Sequence, residues 1–160
     1  MDTVNERMTG EIEGDVVVFL IGMRINTWWK VHRWAPVAAA MPRMIRELEL
    51  HPELGFLGAE AWFGRTTLML QYWRSMDQLM AYAKKRDSAH LPAWGDFNRR
   101  IGTSGDVGIF HETYRVRPGD RETVYVNMPR FGMGKVGTLV PARGRRHHAE
   151  ERLRVEVSAS

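Results

Sequence analysis

Residues 15–25, DVVVFLIGMRI, are apolar almost throughout and rich in Val and Ile. Such a run predicts a central β-strand buried on both faces, with Arg24 and Asn26 marking where the chain emerges. A strand of that kind needs neighbours beside it and a layer against it, which narrows the fold to a covered sheet.

The following segments can supply those neighbours. Residues 26–36, NTWWKVHRWAP, hold three tryptophans and a histidine before Pro36. Asn26 or Thr27 suits the cap of a short helix, and Pro36 the first turn of a second. Val37, Met41, Met44, Ile45 and Leu48 then share one helical stripe, which Pro42 must kink or begin. His51-Pro52 ends that helix, and residues 54–65 and 66–74 read as two strands joined at Gly64. Ser75 and Gln78 have capping-box spacing ahead of Leu79, Met80, Tyr82 and Ala83, so a helix starts here. Lys84 to Asp87 closes it. Asp87 or Ser88 caps another helix with Pro92 in its first turns, ended by Gly102-Thr103-Ser104-Gly105. Residues 106–116 alternate as a strand, Pro118-Gly119 makes a turn, and residues 122–127 return as the hairpin partner.

Strand, helix, two strands, helix pair, two strands is the order of an α+β, ferredoxin-like sandwich with an antiparallel sheet. Helices cover one sheet face. The other is left bare and apolar, which predicts a homodimer packed sheet against sheet. Residues 1–13 are expected as a flexible arm, 14–142 as the folded domain and 143–160 as a basic, disordered tail. Glycines 132, 134 and 137 with two prolines suggest an irregular wrapping segment before that tail.

At 160 residues and 44% hydrophobic content the chain fills one core. The absence of cysteine excludes disulfides, thiolate nucleophiles, iron–sulfur clusters and thiolate-bound zinc. Any redox chemistry must come from a bound cofactor, histidine ligation or the substrate. The net charge of +4 divides into +2 for residues 143–160 and +2 for everything before them, so the body is nearly neutral. No run of about 20 apolar residues occurs, and the acidic N-terminus lacks signal-peptide order, so a cytoplasmic protein is expected. Nucleic-acid partners are not expected, because the basic, aromatic strand signature of RNA-recognition folds is missing. Gly132, Gly134 and Gly137 form only a weak G-x-G-x-x-G, so nucleotide binding is set aside.

The residues that could carry chemistry are few. His90, Trp94, Phe97 and Ile101 share a helical face, making His90 either a satisfied core residue or the functional group of a pocket. His111 alternates with Val107 and Ile109, and Glu112 with Phe110 and Tyr114, so only one of the pair can face the helices. A neutral imidazole in an apolar cleft serves as a haem ligand or as a general base. Trp73 and Trp94 could line a planar ligand or simply fill the core. Trp34, with Trp28, Trp29, Lys30 and Arg33, is read as pocket mouth or core in preference to a membrane-facing patch, and no membrane partner is expected. Tyr72, Asn98 and Tyr125 are candidate donors to an oxyanion. His147-His148 is expected to be solvated.

Five blocks taken in order resemble a known family: RWAPV (33–37), YWRS (72–75), HLPAW (90–94), GDVGIFHETY (105–114) and VYVNMP (124–129). The family is the one grouped with the fumagillin-pathway polyketide monooxygenase, and the likeness spans roughly residues 12–142. It resembles a branch of the dimeric α+β barrels, which include cofactor-free oxygenases and haem enzymes such as aldoxime dehydratases. The resemblance implies a monooxygenase acting on a small hydrophobic, aromatic or polyketide-type molecule in secondary metabolism. Two mechanisms are compatible with it. Without a cofactor, His90 or His111 deprotonates the substrate, whose carbanion reduces dioxygen. With haem b, His90 is the axial ligand, the one metal role foreseen. A non-catalytic ligand-binding barrel is the remaining reading.

Overall fold

A computed structural model describes residues 2–84, 95, 102 and 104–155, which divide into two compact units. One comprises residues 18–113 and the other residues 1–17 with 114–160.

The first unit is built around the apolar run. β2 (Val16–Ile25) is the long strand its composition predicts. α1 (Val31–Leu50) is one continuous helix with Pro36 and Pro42 inside it. The chain leaves it at His51, whose N–H still bonds the Leu48 carbonyl at 3.3 Å. β3 (Phe56–Trp62) and β4 (Thr66–Trp73) form an antiparallel hairpin with Trp62 opposite Leu68 and Phe56 opposite Trp73. α2 (Met76–Lys84) begins where the capping box places it, because the Gln78 N–H donates to the Ser75 hydroxyl at 3.2 Å. The reciprocal arm differs, since the Ser75 hydroxyl donates to the Gln78 side-chain oxygen at 3.2 Å. β5 (Val107–Val116) completes a sheet of order β3-β4-β2-β5, the ferredoxin-like α+β order expected.

Alternation along these strands sorts their side chains into two faces. Met23 and Val107 are buried with Ile25, Ile109 and the α1 residues Trp34, Val37 and Ala38, so odd-numbered residues of β2 and β5 face the helices. Trp73 of β4 meets Tyr82 of α2 with ring centroids 5.6 Å apart, placing odd-numbered β4 residues on the same side. Even-numbered residues look the other way. There the Phe110 ring lies over Gly22 so closely that a Cβ at Gly22 would come within 2.7 Å of it.

The second unit departs from expectation. β1 (Val4–Glu11) occupies most of the segment expected as an arm, at the centre of a three-stranded sheet of order β6-β1-β7. β6 (Tyr125–Met128) was expected to pair with β5 but pairs with β1, Met8 opposite Tyr125 and Val4 opposite Met128. Pro118-Gly119 therefore does not close a tight hairpin. β7 (Thr138–Pro141) takes the other edge, with Gly10 opposite Leu139. The short α3 (Met133–Val136) approaches β1 so closely that a Cβ at Gly10 would lie 2.7 Å from the Gly134 nitrogen. That contact explains the glycines as a packing feature.

Buried arginines tie this unit's loops and C-terminal segment together. The Arg121 guanidinium donates to the carbonyls of Ile12 and Gly14. Arg152, on α4 (Ala149–Val155), donates to Glu122 at 2.6 and 2.8 Å and to the carbonyls of Arg146 and His147, each at 2.9 Å. Arg146 in turn pairs with Glu11 of β1. A tail read as disordered from composition thus holds a 3-10 turn and α4.

Candidate functional site

The helix-facing side of the four-stranded sheet holds Trp73, Gln71 and His111 of the first unit. Trp73 ends β4 with no exposed surface, edge-on to Phe56 at 5.6 Å and tilted against Tyr82. Its indole N–H donates to the Gln71 side-chain oxygen at 2.9 Å, so the ring is committed to the core at both its apolar and polar ends. The Gln71 amide nitrogen, also buried, donates to the Met69 sulfur at 3.5 Å, a weak acceptor. Gln71 was not foreseen as a site residue. The signal was a single polar residue at an odd position of LMLQYW, opposite in pattern to a strand whose polar residues face solvent.

His111 lies on the same side of the sheet, two strands away across β2. Its ring meets that of Phe19 with centroids 5.8 Å apart and planes at 46°, and the residue stays exposed. Alternation settles the choice between the two β5 candidates: His111 shares the helix side with Val107 and Ile109, and Glu112 points to the opposite face. Tyr72, buried, likewise lies on the helix-free face.

Trp34 sits on α1 against Met23 and Val107, and its indole N–H donates to the Trp28 carbonyl at 2.8 Å. Trp28 and Trp29 behave otherwise. They are 68% and 67% exposed, so neither fills the core, the second of the two places expected for them. The physical reason is the anchoring of their loop: Asn26 and Thr27 donate backbone N–H groups to the Asp106 carbonyl at 3.0 and 3.1 Å, and Trp34 holds the Trp28 carbonyl. With the backbone held from inside, the two side chains are turned outward.

Asp106 is the acidic counterpart of that loop. Lys30 donates to both its carboxylate oxygens, at 2.8 and 3.1 Å. This bond, with help from Thr27 and the Arg33 charge, holds the Asp106 carboxyl below the usual carboxylate range despite its burial. Where α1 and α2 meet, the Tyr82 hydroxyl donates to Glu47 at 3.3 Å. Burial first, and then the Glu47 charge, push that phenol above its ordinary range.

Tyr125 belongs to the other unit, where its hydroxyl accepts the Gly134 N–H at 3.2 Å. His147 and His148 meet edge-to-face there with centroids 4.7 Å apart. His90, Trp94 and Asn98 lie outside the described residues, and the haem expectation lies there with His90. Among the described residues no three His, Asp or Glu side chains are grouped to hold a metal ion. None of the described helices is long and apolar enough to cross a membrane.

Comparison with known proteins gives this geometry a context. Monooxygenase af470 of Aspergillus fumigatus is 28% identical over 165 residues, covering 92% of this chain and 54% of that protein. The chain thus spans about half the length of this curated relative. Among solved structures, the aldoxime dehydratase OxdRE in complex with butyraldoxime is similar with a TM-score of 0.63 at 14% identity, over 79% of this chain and 40% of that one. That likeness is one of fold. SnoaB, a cofactor-independent oxygenase from Streptomyces nogalater, overlaps 64% of this chain and 94% of its own with a TM-score of 0.46 and 14% identity. The profile of the Monooxygenase af470-like family matches residues 16–133, nearly three-quarters of the chain, and the protein belongs to that family.

Proposed function

We propose that the protein is a monooxygenase acting on an electron-rich aromatic or polyketide-type small molecule, with His111 as the general base of the cleft between helices and sheet. The observation that carries this reading is the placement of His111: an exposed imidazole on the helix-facing side of β5, against the Phe19 ring. An apolar wall beside a titratable nitrogen suits a flat substrate bearing one acidic hydroxyl. Family membership agrees with an oxygenase.

In this reading His111 removes the proton of a phenol or enol, and the electron pair delocalises onto the adjacent carbon. That carbanion reduces dioxygen to a bound hydroperoxide, which loses water and leaves a carbonyl. One oxygen atom enters the substrate and the other leaves as water, the four electrons coming from the carbanion pair and from the remaining C–H bond of the carbon bearing the hydroperoxide, which breaks as the O–O bond cleaves. Positioned general bases contribute about 10²–10⁴-fold to such steps. Gln71, buried on the same side of the sheet, and Trp73 set the depth of the cleft. His90, Trp94 and Asn98 are proposed to complete it from the segment after α2.

A second copy is proposed to cover the helix-free face, where Leu20, Leu68, Leu70 and Phe110 lie partly exposed. The decisive experiment measures dioxygen consumption with phenolic and polyketide-type substrates. His111→Ala and His111→Gln should each lose at least about 100-fold in kcat with little change in KM. Unchanged turnover in both variants would remove His111 from the chemistry.

A further inference from the structure

Exposed aromatic surface gathers at one end of the four-stranded sheet. The β2–α1 loop displays Trp28 and Trp29 in edge-to-face contact, centroids 6.1 Å apart, with Val31 exposed beside them. The β3–β4 turn displays Trp62 and Phe63, the latter 83% exposed. These two tips belong to one surface, because Ile25 donates its N–H to the Arg65 carbonyl at 2.8 Å and the Arg65 side chain donates back to the Ile25 carbonyl at 3.2 Å.

Isolated exposed aromatics need no explanation, but a cluster of three tryptophans and a phenylalanine on two adjoining loops does. The loops are not loosely held. Trp34, Asp106 and Arg65 each bond the backbone between residues 25 and 28, so the outward pose of the rings is a property of the scaffold.

Charge indicates the partner. Residues 24–33 and 62–66 contain Arg24, Lys30, Arg33 and Arg65 and no acidic residue. In the adjoining loop Asp106 is buried and neutralised by Lys30, while Glu60 stands two residues before Trp62 on β3. Arg24 and Arg65 remain exposed, their guanidinium groups tethered to Thr66 and to the carbonyls of Ile25 and Asn26.

Indole rings prefer the boundary between headgroups and acyl chains, and arginines beside them favour anionic headgroups. We infer that this end of the sheet is a peripheral docking site for an anionic lipid bilayer, with Trp28, Trp29 and Phe63 inserted at the interface and Arg24 and Arg65 against the headgroups. Docking here is a surface association and involves no spanning segment.

Co-sedimentation with vesicles tests it. The full chain should pellet with phosphatidylcholine vesicles containing phosphatidylserine, less with phosphatidylcholine alone, and less again as salt is raised. The triple variant W28S/W29S/F63S should remain in the supernatant while keeping its circular dichroism and thermal midpoint, since all three rings are exposed. Arg24→Gln should weaken partition about fivefold at low salt. Failure of the wild-type chain to pellet with either vesicle would overturn the proposal. So would undiminished pelleting of the triple variant. Conversion of a dimer to a monomer in that variant, read by sedimentation velocity, would also overturn it by reassigning the patch to contact between copies.

Discussion

At the residue scale, the pair Gln71 and Trp73 fixes the packing at the end of β4. Trp73 is fully enclosed, so Trp73→Ala should cost about 3–5 kcal/mol by chemical denaturation, the range for emptying a large aromatic site. Gln71→Leu keeps the volume but leaves the indole N–H without its acceptor, and should cost about 1–3 kcal/mol. Asp106 gives a pH signature. Because its folded-state carboxyl is held below the ordinary value, ionised Asp106 strengthens folding above that value. The contribution is lost as pH falls through the lowered folded-state pKa. Lys30→Met removes the first cause of the shift, so stability measured against pH should lose part of its acid-side slope. A variant with an unchanged acid profile would remove Lys30 as that cause.

At the element scale, start and stop signals carried most of the first unit. Ser75 caps α2 as its spacing with Gln78 predicts, and Ser75→Ala should lower stability by about 1 kcal/mol in a urea titration. His51 ends α1, and the positive φ of Gly55, 84°, turns the chain into β3. Both are short-range effects that read directly from sequence. The partner of β6 does not. Residues 122–127 carried a good strand pattern, but pattern alone cannot tell β5 from β1 as the neighbour. The choice was made by contacts more than 100 residues apart, such as the Thr123 hydroxyl accepting the Gly10 N–H at 2.7 Å.

At the scale of the whole molecule, the helix-free sheet face is proposed for a second copy and the aromatic end for a bilayer. Phe110→Arg places a charge over Gly22 on the first of these. If the proposed dimer is right, sedimentation velocity should report a monomer for this variant with the wild-type far-ultraviolet spectrum. A wild-type chain that is itself monomeric would end that proposal. The C-terminal segment offers a separate check, because buried Arg152 pairs with Glu122, whose side chain is 32% exposed. Arg152→Ala removes its hydrogen bonds to Glu122 and to the Arg146 and His147 carbonyls and should cost about 1–3 kcal/mol by chemical denaturation.

The apolar run of β2, the end of α1 at His51, the cap of α2, the β3–β4 hairpin and the family blocks were all decided by residues close together in the chain, whereas α1 runs unbroken from Val31 through Pro36 and Pro42 where two helices are expected. Local periodicity and backbone preference act over a turn or a strand, so sequence alone determines the former. The side of β5 that meets the helices, the outward turn of Trp28 and Trp29, the pairing of β1 and the burial of Gln71 were decided only on folding. Each depends on which distant backbone groups find one another, and neither composition nor spacing records that.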